Sequence, residues 1–384
     1  MLRLLTQPSP SEEPASAPIR SFPLIGAKLL RSRVAEVGGM RHRVGWGLGL
    51  LLLALAGVAA VDAQARVVVE TLHSTALRGN AIGDSPDRAI TVYLPPSYDA
   101  QVARRYPVVY LLHGATSEPG EWFDGSYQGM DLGAALDRMA GPGEFIVVMP
   151  AANNRYGGSF YVNSARFGRW EDFVAKELVA FVDARFRTQP ERRARGLAGQ
   201  SMGGFGALYL AGRHPDTFAY VYAVSPCCLG FVGDLAQAGA RWKQPLGGWL
   251  RAMAMAFAAP GNTAPEAEPP LPFTATPDGG VERHPAVEAA WKRYMPLYRL
   301  ERDPAGYRRL CGIAFDAGLQ DQITSVTAGA RAFSQALDRH GIAHAFAPYD
   351  GTHTDHTRER FETAMLPFFA RAFATAGAPK ACAR

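Results

Sequence analysis

The chain has 384 residues, 48% of them hydrophobic and 20% charged, a balance that excludes a largely disordered, collagenous or multi-span membrane protein. Of its formal charge of +5, residues 1–65 hold +3, from seven Lys/Arg against four Asp/Glu, which leaves +2 for residues 66–384. So neutral a remainder lacks the clustered cations that neutralise phosphates, and nucleic acid is set aside as a partner.

Residues 1–39 are rich in Pro, Ser and Ala without a periodic apolar face. They read as a non-native or disordered extension, with the true start at Met40. Arg41 and Arg43 then precede an apolar run, Val44 to Val61, and Ala63-Gln64-Ala65. A positive region, an apolar region and small residues at the cleavage positions predict a signal peptide over 40–65, cut after Ala65. The mature chain is then exported, periplasmic or secreted, with no stable membrane span. A retained anchor is the alternative, because the run is near the minimum for crossing a bilayer.

Downstream, Arg88–Leu94, Pro107–Leu112 and Phe145–Met149 are short β-branched and aromatic runs bounded by Pro and Gly, and read as strands. Helical spacing of Trp170, Phe173, Val174, Leu178, Phe181 and Val182 predicts a helix between Arg169 and Phe186. A strand at Arg195–Gly199, a helix at Gly203–Arg213 and a strand at Tyr220–Ser225 follow. The alternation lapses over 229–305, which is Met-, Ala- and Pro-rich, and this stretch is predicted to be a lid-like insertion after the sixth strand. It resumes with a strand at Leu310–Phe315, a helix at Thr324–His340, a strand at His344–Tyr349 and a helix at Thr357–Ala374. Strands alternating with helices predict a mostly parallel, doubly wound α/β sheet over residues 66–384, with ligands bound at the strand ends beneath the insertion.

Gly199-Gln200-Ser201-Met202-Gly203 follows a predicted strand and opens a predicted helix, the setting of a nucleophile elbow, whose turn is too tight for side chains two residues either side of the serine. A serine hydroxyl needs a base, and the base an orienting acid. The order nucleophile, acid, histidine on such a fold points to the loop after the last strand. There His353 follows Gly351, and His356 stays open as the alternative. In the loop after Leu310–Phe315, Asp321 is preferred over Asp316, which would still sit at the strand end; Asp355 is assigned to capping the final helix. The oxyanion hole is expected from the backbone N–H groups of Met202 and Ala115, with His113 shaping the second loop.

Trp122, Tyr161 and Asn163 are expected to position substrate, packing or capping being the alternative for each. Met253, Met255 and Phe273 are expected to line an apolar pocket or to pack the insertion down. His353-x-Asp355-His356 is half of a metal-binding run, but position 351 is Gly and zinc catalysis wants at least about three protein ligands, so no metal and no cofactor is expected. Four cysteines, Cys227, Cys228, Cys311 and Cys382, do not make a disulfide framework. Pairing of Cys227 or Cys228 with Cys311 or Cys382 stays open beside buried free thiols.

With these residues placed, the chain resembles the α/β-hydrolase esterase family that includes S-formylglutathione hydrolases, feruloyl and acetyl-xylan esterases and the mycobacterial mycolyltransferases. The resemblance runs from about Val69 to Phe373 and is carried by Tyr106–Gly114, Gly158–Ser164, Gly199–Leu208 with His214-Pro215, Gly318–Asp321 and Gly351–His353. It implies a Ser201, Asp321, His353 triad and an oxyanion hole at Ala115 and Met202. The expected activity is hydrolysis of short-chain or aryl carboxylic esters through an acyl-enzyme, on a small-molecule or carbohydrate ester. Acyl transfer to an alcohol and noncatalytic binding with a vestigial triad are the alternatives. Many relatives have Gly-Gly-His where this chain has Gly-Thr-His, and the insertion matches no substrate-binding element, so specificity is not carried over.

Overall fold

The computed structural model describes residues 65–139, 141, 143–258, 264 and 267–374; the extension and the predicted signal segment, up to residue 64, lie outside them. Eight strands form one sheet: β1 Arg66–His73, β2 Asp87–Leu94, β3 Val108–Leu112, β4 Ile146–Pro150, β5 Arg195–Gln200, β6 Tyr220–Val224, β7 Gly312–Gly318 and β8 Ala345–Tyr349. Their order is β1-β2-β4-β3-β5-β6-β7-β8. The β1–β2 and β2–β4 pairs are antiparallel and the rest parallel.

The central strands read as continuous apolar runs because both faces are covered. Alternate residues of β3 go to different cores: Val108, Tyr110 and Leu112 to one, Val109 and Leu111 to the other. Helix α1, Met202–Arg213, packs on the first face, as does the later helix Thr324–Arg339. On the second lies the C-terminal helix α4, Leu366–Ala374, whose Phe369 ring sits where a Cβ at Gly196 of β5 would be. Sequence reading missed β1, an edge strand with Val67 and Val69 exposed, because its alternation is not backed by a buried face along its length.

The predicted helix between Arg169 and Phe186 is present, with a π-type turn over Phe173–Leu178, and another such turn, Phe361–Met365, lies just before α4. Strand β7 runs to Gly318, three residues past its expected end. The stretch after β6 has more structure than its composition suggested. It holds helix α2, Gly248–Ala256, a hairpin of Phe273–Ala275 with Val281–Arg283, and short helices at Pro285–Lys292 and Pro296–Arg302. Phe231, Trp242, Phe273 and Trp291 form its own aromatic cluster. Phe257 joins that cluster to Phe160 and Phe205 beneath. Helix α3, Thr324–Arg339, then leads to β8.

Candidate active site

Three loops at the carboxyl ends of parallel strands meet above the sheet. After β5, Ser201 has φ 55° and ψ −115°, a conformation that a non-glycine residue holds only when its surroundings impose it. Its N–H donates to Val224 O over 3.0 Å and its carbonyl accepts from Phe205 N over 2.9 Å. The turn requires glycine on either side: a Cβ on Gly199 would overlap Gly203 backbone, and one on Gly203 would overlap Leu112 O.

His353, from the loop after β8, places Nε2 2.9 Å from Ser201 Oγ, and its Nδ1 lies 2.7 Å from Asp321 Oδ2. Asp321, from the loop after β7, is buried, and its other oxygen accepts from Ile323 N over 2.8 Å. Asp355 does not cap the last helix as expected; its Oδ1 accepts from Thr352 N over 2.9 Å, fixing the turn that carries His353. The structure thus brings Ser201, His353 and Asp321 into one hydrogen-bonded line. His356 instead pairs Nδ1 with Glu359 over 2.8 Å on the exposed side. Asp316 is enclosed in β7, bonded to Tyr222 Oη over 2.8 Å and Arg360 Nε over 3.0 Å. Burial pushes its carboxyl up against the opposing pull of Arg360 and Tyr222.

Ser201 opens onto a cavity of about 320 Å³. One wall is backbone and polar: Ala115 and Thr116 from the loop after β3, Met202 at the start of α1, and Gln200. Apolar walls come from Tyr127, Phe160, Ile323, Cys227 and, from helix α2 of the insertion, Trp249. Met202 is the first residue of α1, so its N–H precedes the intrahelical ladder, at the end of the helix that lines the cavity. The Ala115 loop is pinned by Thr116 N donating to Gly157 O over 2.8 Å.

Residues 83–371 match the family model described as "Putative esterase". The chain belongs to this esterase family. An esterase of Mycobacterium tuberculosis is 37% identical over 141 residues, which are 36% of this chain and 29% of that protein. An endo-1,4-beta-xylanase/feruloyl esterase of Xylanibacter ruminicola is 34% identical over 143 residues, 34% of this chain and 18% of that one. The matched stretch thus spans less than a third of either curated relative. Among solved structures, a ferulic acid esterase superposes with a TM-score of 0.58 at 25% identity, over 81% of this chain and 99% of that one. An S-formylglutathione hydrolase from Agrobacterium tumefaciens superposes with a TM-score of 0.56 at 19% identity, over 80% and 96%. The fold is the α/β-hydrolase fold.

The three residues expected to contact substrate do not line this cavity. Trp122 is fully buried, its Nε1 donating to Ser117 Oγ over 2.9 Å, and it supports the cavity only by stacking on Tyr127 at 4.4 Å. Tyr161, also fully buried, donates its hydroxyl to His113 O over 2.9 Å; burial holds that hydroxyl well above the usual phenol range. Asn163, in a two-residue strand Asn163–Ser164 paired with Gly168–Arg169, exchanges hydrogen bonds with Asp172 at 3.3 and 3.2 Å. All three follow strands, as substrate residues do, but their polar atoms are consumed by the protein. His113 braces the loop that carries Ala115: its Nε2 accepts from Ala152 N over 2.9 Å, so Nδ1 carries the proton and donates to Gly114 O over 2.8 Å. Burial lowers this imidazole to about 4, which keeps it neutral.

The insertion contacts the cavity through Trp249 rather than through its methionines. Met255 Sδ lies 2.6 Å from Arg166 Nη1 in the interior, Met253 is fully buried, and Phe273 packs on Phe231 and Trp242. Tyr127, Trp249 and Ile323 lie in no motif, and Phe160 lies inside Gly158–Ser164, where its neighbours Tyr161 and Asn163 were preferred.

Proposed function

We propose that this esterase hydrolyses carboxylic esters of short-chain or aryl acids through an acyl-enzyme formed on Ser201. The reading is carried by one observation, the hydrogen-bonded line from Asp321 through His353 to Ser201 Oγ at the mouth of an apolar cavity. His353 takes the Ser201 proton as Oγ attacks the ester carbonyl, and Asp321 holds the imidazole in the tautomer that leaves Nε2 free to accept it. The N–H groups of Ala115 and Met202 stabilise the oxyanion. His353 returns the proton to the leaving alcohol, then activates water to release the acid. No cofactor enters these steps.

The cavity, at about 320 Å³, is at the small end of the roughly 300–1,000 Å³ range of ligand pockets. Its Trp249, Tyr127 and Phe160 walls suit a flat or short acyl group rather than a long chain, and the alcohol side, a sugar or other small alcohol, stays outside. The feruloyl esterase names among the relatives support the aryl side. The leader layout and the disulfide-bonded state of Cys311 support export. No helix among the described residues is long and apolar enough to cross a membrane.

The test is release of p-nitrophenol from esters of increasing acyl length, with and without an added alcohol acceptor, for the full chain and for Ser201→Ala. Loss of at least about 10³-fold in Ser201→Ala is expected, with release declining beyond short and aryl acyls. Near-full activity of Ser201→Ala overturns the mechanism. Acceleration by the acceptor, with the acceptor acylated, makes the protein a transferase.

A further inference from the structure

Pro226-Cys227-Cys228 follows β6, directly behind the nucleophile. Along extended backbone, consecutive side chains point to opposite sides. Here both sulfurs face each other, because Cys228 takes a left-handed φ of 62°, uncommon for a residue other than glycine. The Cys228 S–H is turned to Cys227 Sγ, with the two sulfurs in contact, and both are free thiols. Their surroundings differ. Cys228 is fully enclosed, whereas Cys227 lines the catalytic cavity and donates its N–H to Ser201 O over 3.3 Å. A reagent small enough to enter the cavity meets Cys227 first, with Cys228 behind it.

We propose that Cys227 and Cys228 form a redox-active dithiol in the wall of the catalytic cavity, which hydrogen peroxide oxidises to a vicinal disulfide. Cys227 Sγ, as thiolate, attacks one peroxide oxygen: an S–O bond forms, the O–O bond breaks and hydroxide leaves to take up a proton as water. Cys228 Sγ then attacks the Cys227 sulfenic sulfur: the S–S bond forms, the S–O bond breaks, and the oxygen departs as a second water with the Cys228 proton. Two thiols lose two hydrogens in all, and one peroxide becomes two waters.

The roles follow from position. Burial pushes the Cys228 thiol up, which keeps a proton on the sulfur that donates to Cys227 and leaves Cys227 as the attacking group. Consecutive Cα atoms are about 3.8 Å apart, short of the roughly 4.4–6.8 Å that disulfides prefer. A bond between neighbours is therefore readily reduced again, as a reversible site requires. Two cysteines that are only small buried apolar side chains would not react in this order.

The deciding experiment exposes the full chain to graded hydrogen peroxide, blocks remaining thiols in denaturant, and weighs the peptide that holds both residues. The expected result is loss of two hydrogens, protection of both sulfurs from alkylation, and recovery with dithiothreitol. Cys228→Ser should accumulate a sulfenic acid at Cys227 that dimedone captures, and Cys227→Ser should leave Cys228 unoxidised at the same dose. Wild-type protein whose two thiols both stay alkylatable overturns the proposal, as does oxidation of Cys228 in Cys227→Ser as fast as Cys227 in Cys228→Ser. The readout is mass, so it stands or falls separately from the proposed ester hydrolysis.

Discussion

The hydroxyl of Tyr161 donates to the main-chain oxygen of His113 over 2.9 Å, and so ties the loop that carries Ala115 to a residue held at φ 54° on a different connection. The Tyr161 ring in turn sits where a Cβ on Gly206 of α1 would be. One side chain thereby sets the distance between the two halves of the proposed oxyanion hole, the Ala115 loop and the start of α1. Tyr161→Phe keeps the ring and removes only the tie. The buried His113 oxygen is left without that partner, at a cost of about 1–3 kcal/mol, and turnover should fall about tenfold, equivalent to about 1.4 kcal/mol, with KM little changed. Urea denaturation and steady-state kinetics on one preparation check both; a change in KM alone would return Tyr161 to substrate binding.

The two histidines of the loop after β8 separate cleanly. His353 touches both Ser201 and Asp321, whereas His356 is bonded to Glu359 in a pair that is largely exposed, and exposed pairs contribute at most about 1 kcal/mol. His353→Ala should lose at least about 10³-fold in kcat, and Asp321→Asn about 10⁴-fold because the wrong tautomer is then favoured. His356→Ala should stay within about twofold, as expected of a weak surface pair. Steady-state kinetics of the three variants decide it: a large loss in His356→Ala would make His356 the base.

Ser201 and the elbow were legible in the sequence because packing dictates them. Gly199 and Gly203 are spaced by a turn that admits no Cβ, and the apolar runs of β3 to β6 declare burial on both faces. Chain order and loop position favoured His353 and Asp321 but left His356 and Asp316 open; in the structure Asp316 falls inside β7, which runs to Gly318. The cavity walls did not follow. Trp122, Tyr161 and Asn163 occupy loops where substrate contacts occur, and only three-dimensional partners reveal that Ser117, His113 and Asp172 consume their polar atoms. Trp249 sits in a stretch without regular periodicity. Its place over Ser201 depends on how the Phe231, Trp242, Phe273 and Trp291 cluster folds, a set drawn from residues up to 60 positions apart.

Stability should depend on His113 in acid. Burial lowers its imidazole to about 4 from the ordinary 6.5, so between those values the unfolded chain binds a proton that the folded chain does not. Stability then rises with pH across this window: the contribution is complete above about 6.5 and is lost as pH falls toward about 4. The loss amounts to roughly 3 kcal/mol at most. His113→Gln, which cannot titrate, should be less stable at neutral pH through its broken hydrogen bonds, yet show a shallower acid slope from pH 6.5 to 4. Thermal denaturation across that range compares the two, and parallel slopes would remove His113 as a source of acid sensitivity.

Trp249 is the residue of the insertion that lines the cavity, and acyl choice is expected to depend on it. It lies on α2 with Arg241 stacked 5.2 Å over its ring, and it lines the cavity together with Ser201. On the proposed reading, an aryl acyl group should use the walls formed by Trp249, Tyr127 and Phe160, and an acetyl group should not need them. Trp249→Ala should therefore lower kcat/KM for a feruloyl-type ester about 10- to 100-fold, the equivalent of about 1–3 kcal/mol of apolar and ring contact. The same change should alter acetyl ester hydrolysis by less than about threefold, because uniform binding is not what the indole supplies to a short acyl. The measurement is the ratio of the two specificity constants in wild type and variant. An equal loss for both esters would mean that Trp249 supports the site structurally, and that acyl selection lies with Tyr127, Phe160 and Ile323.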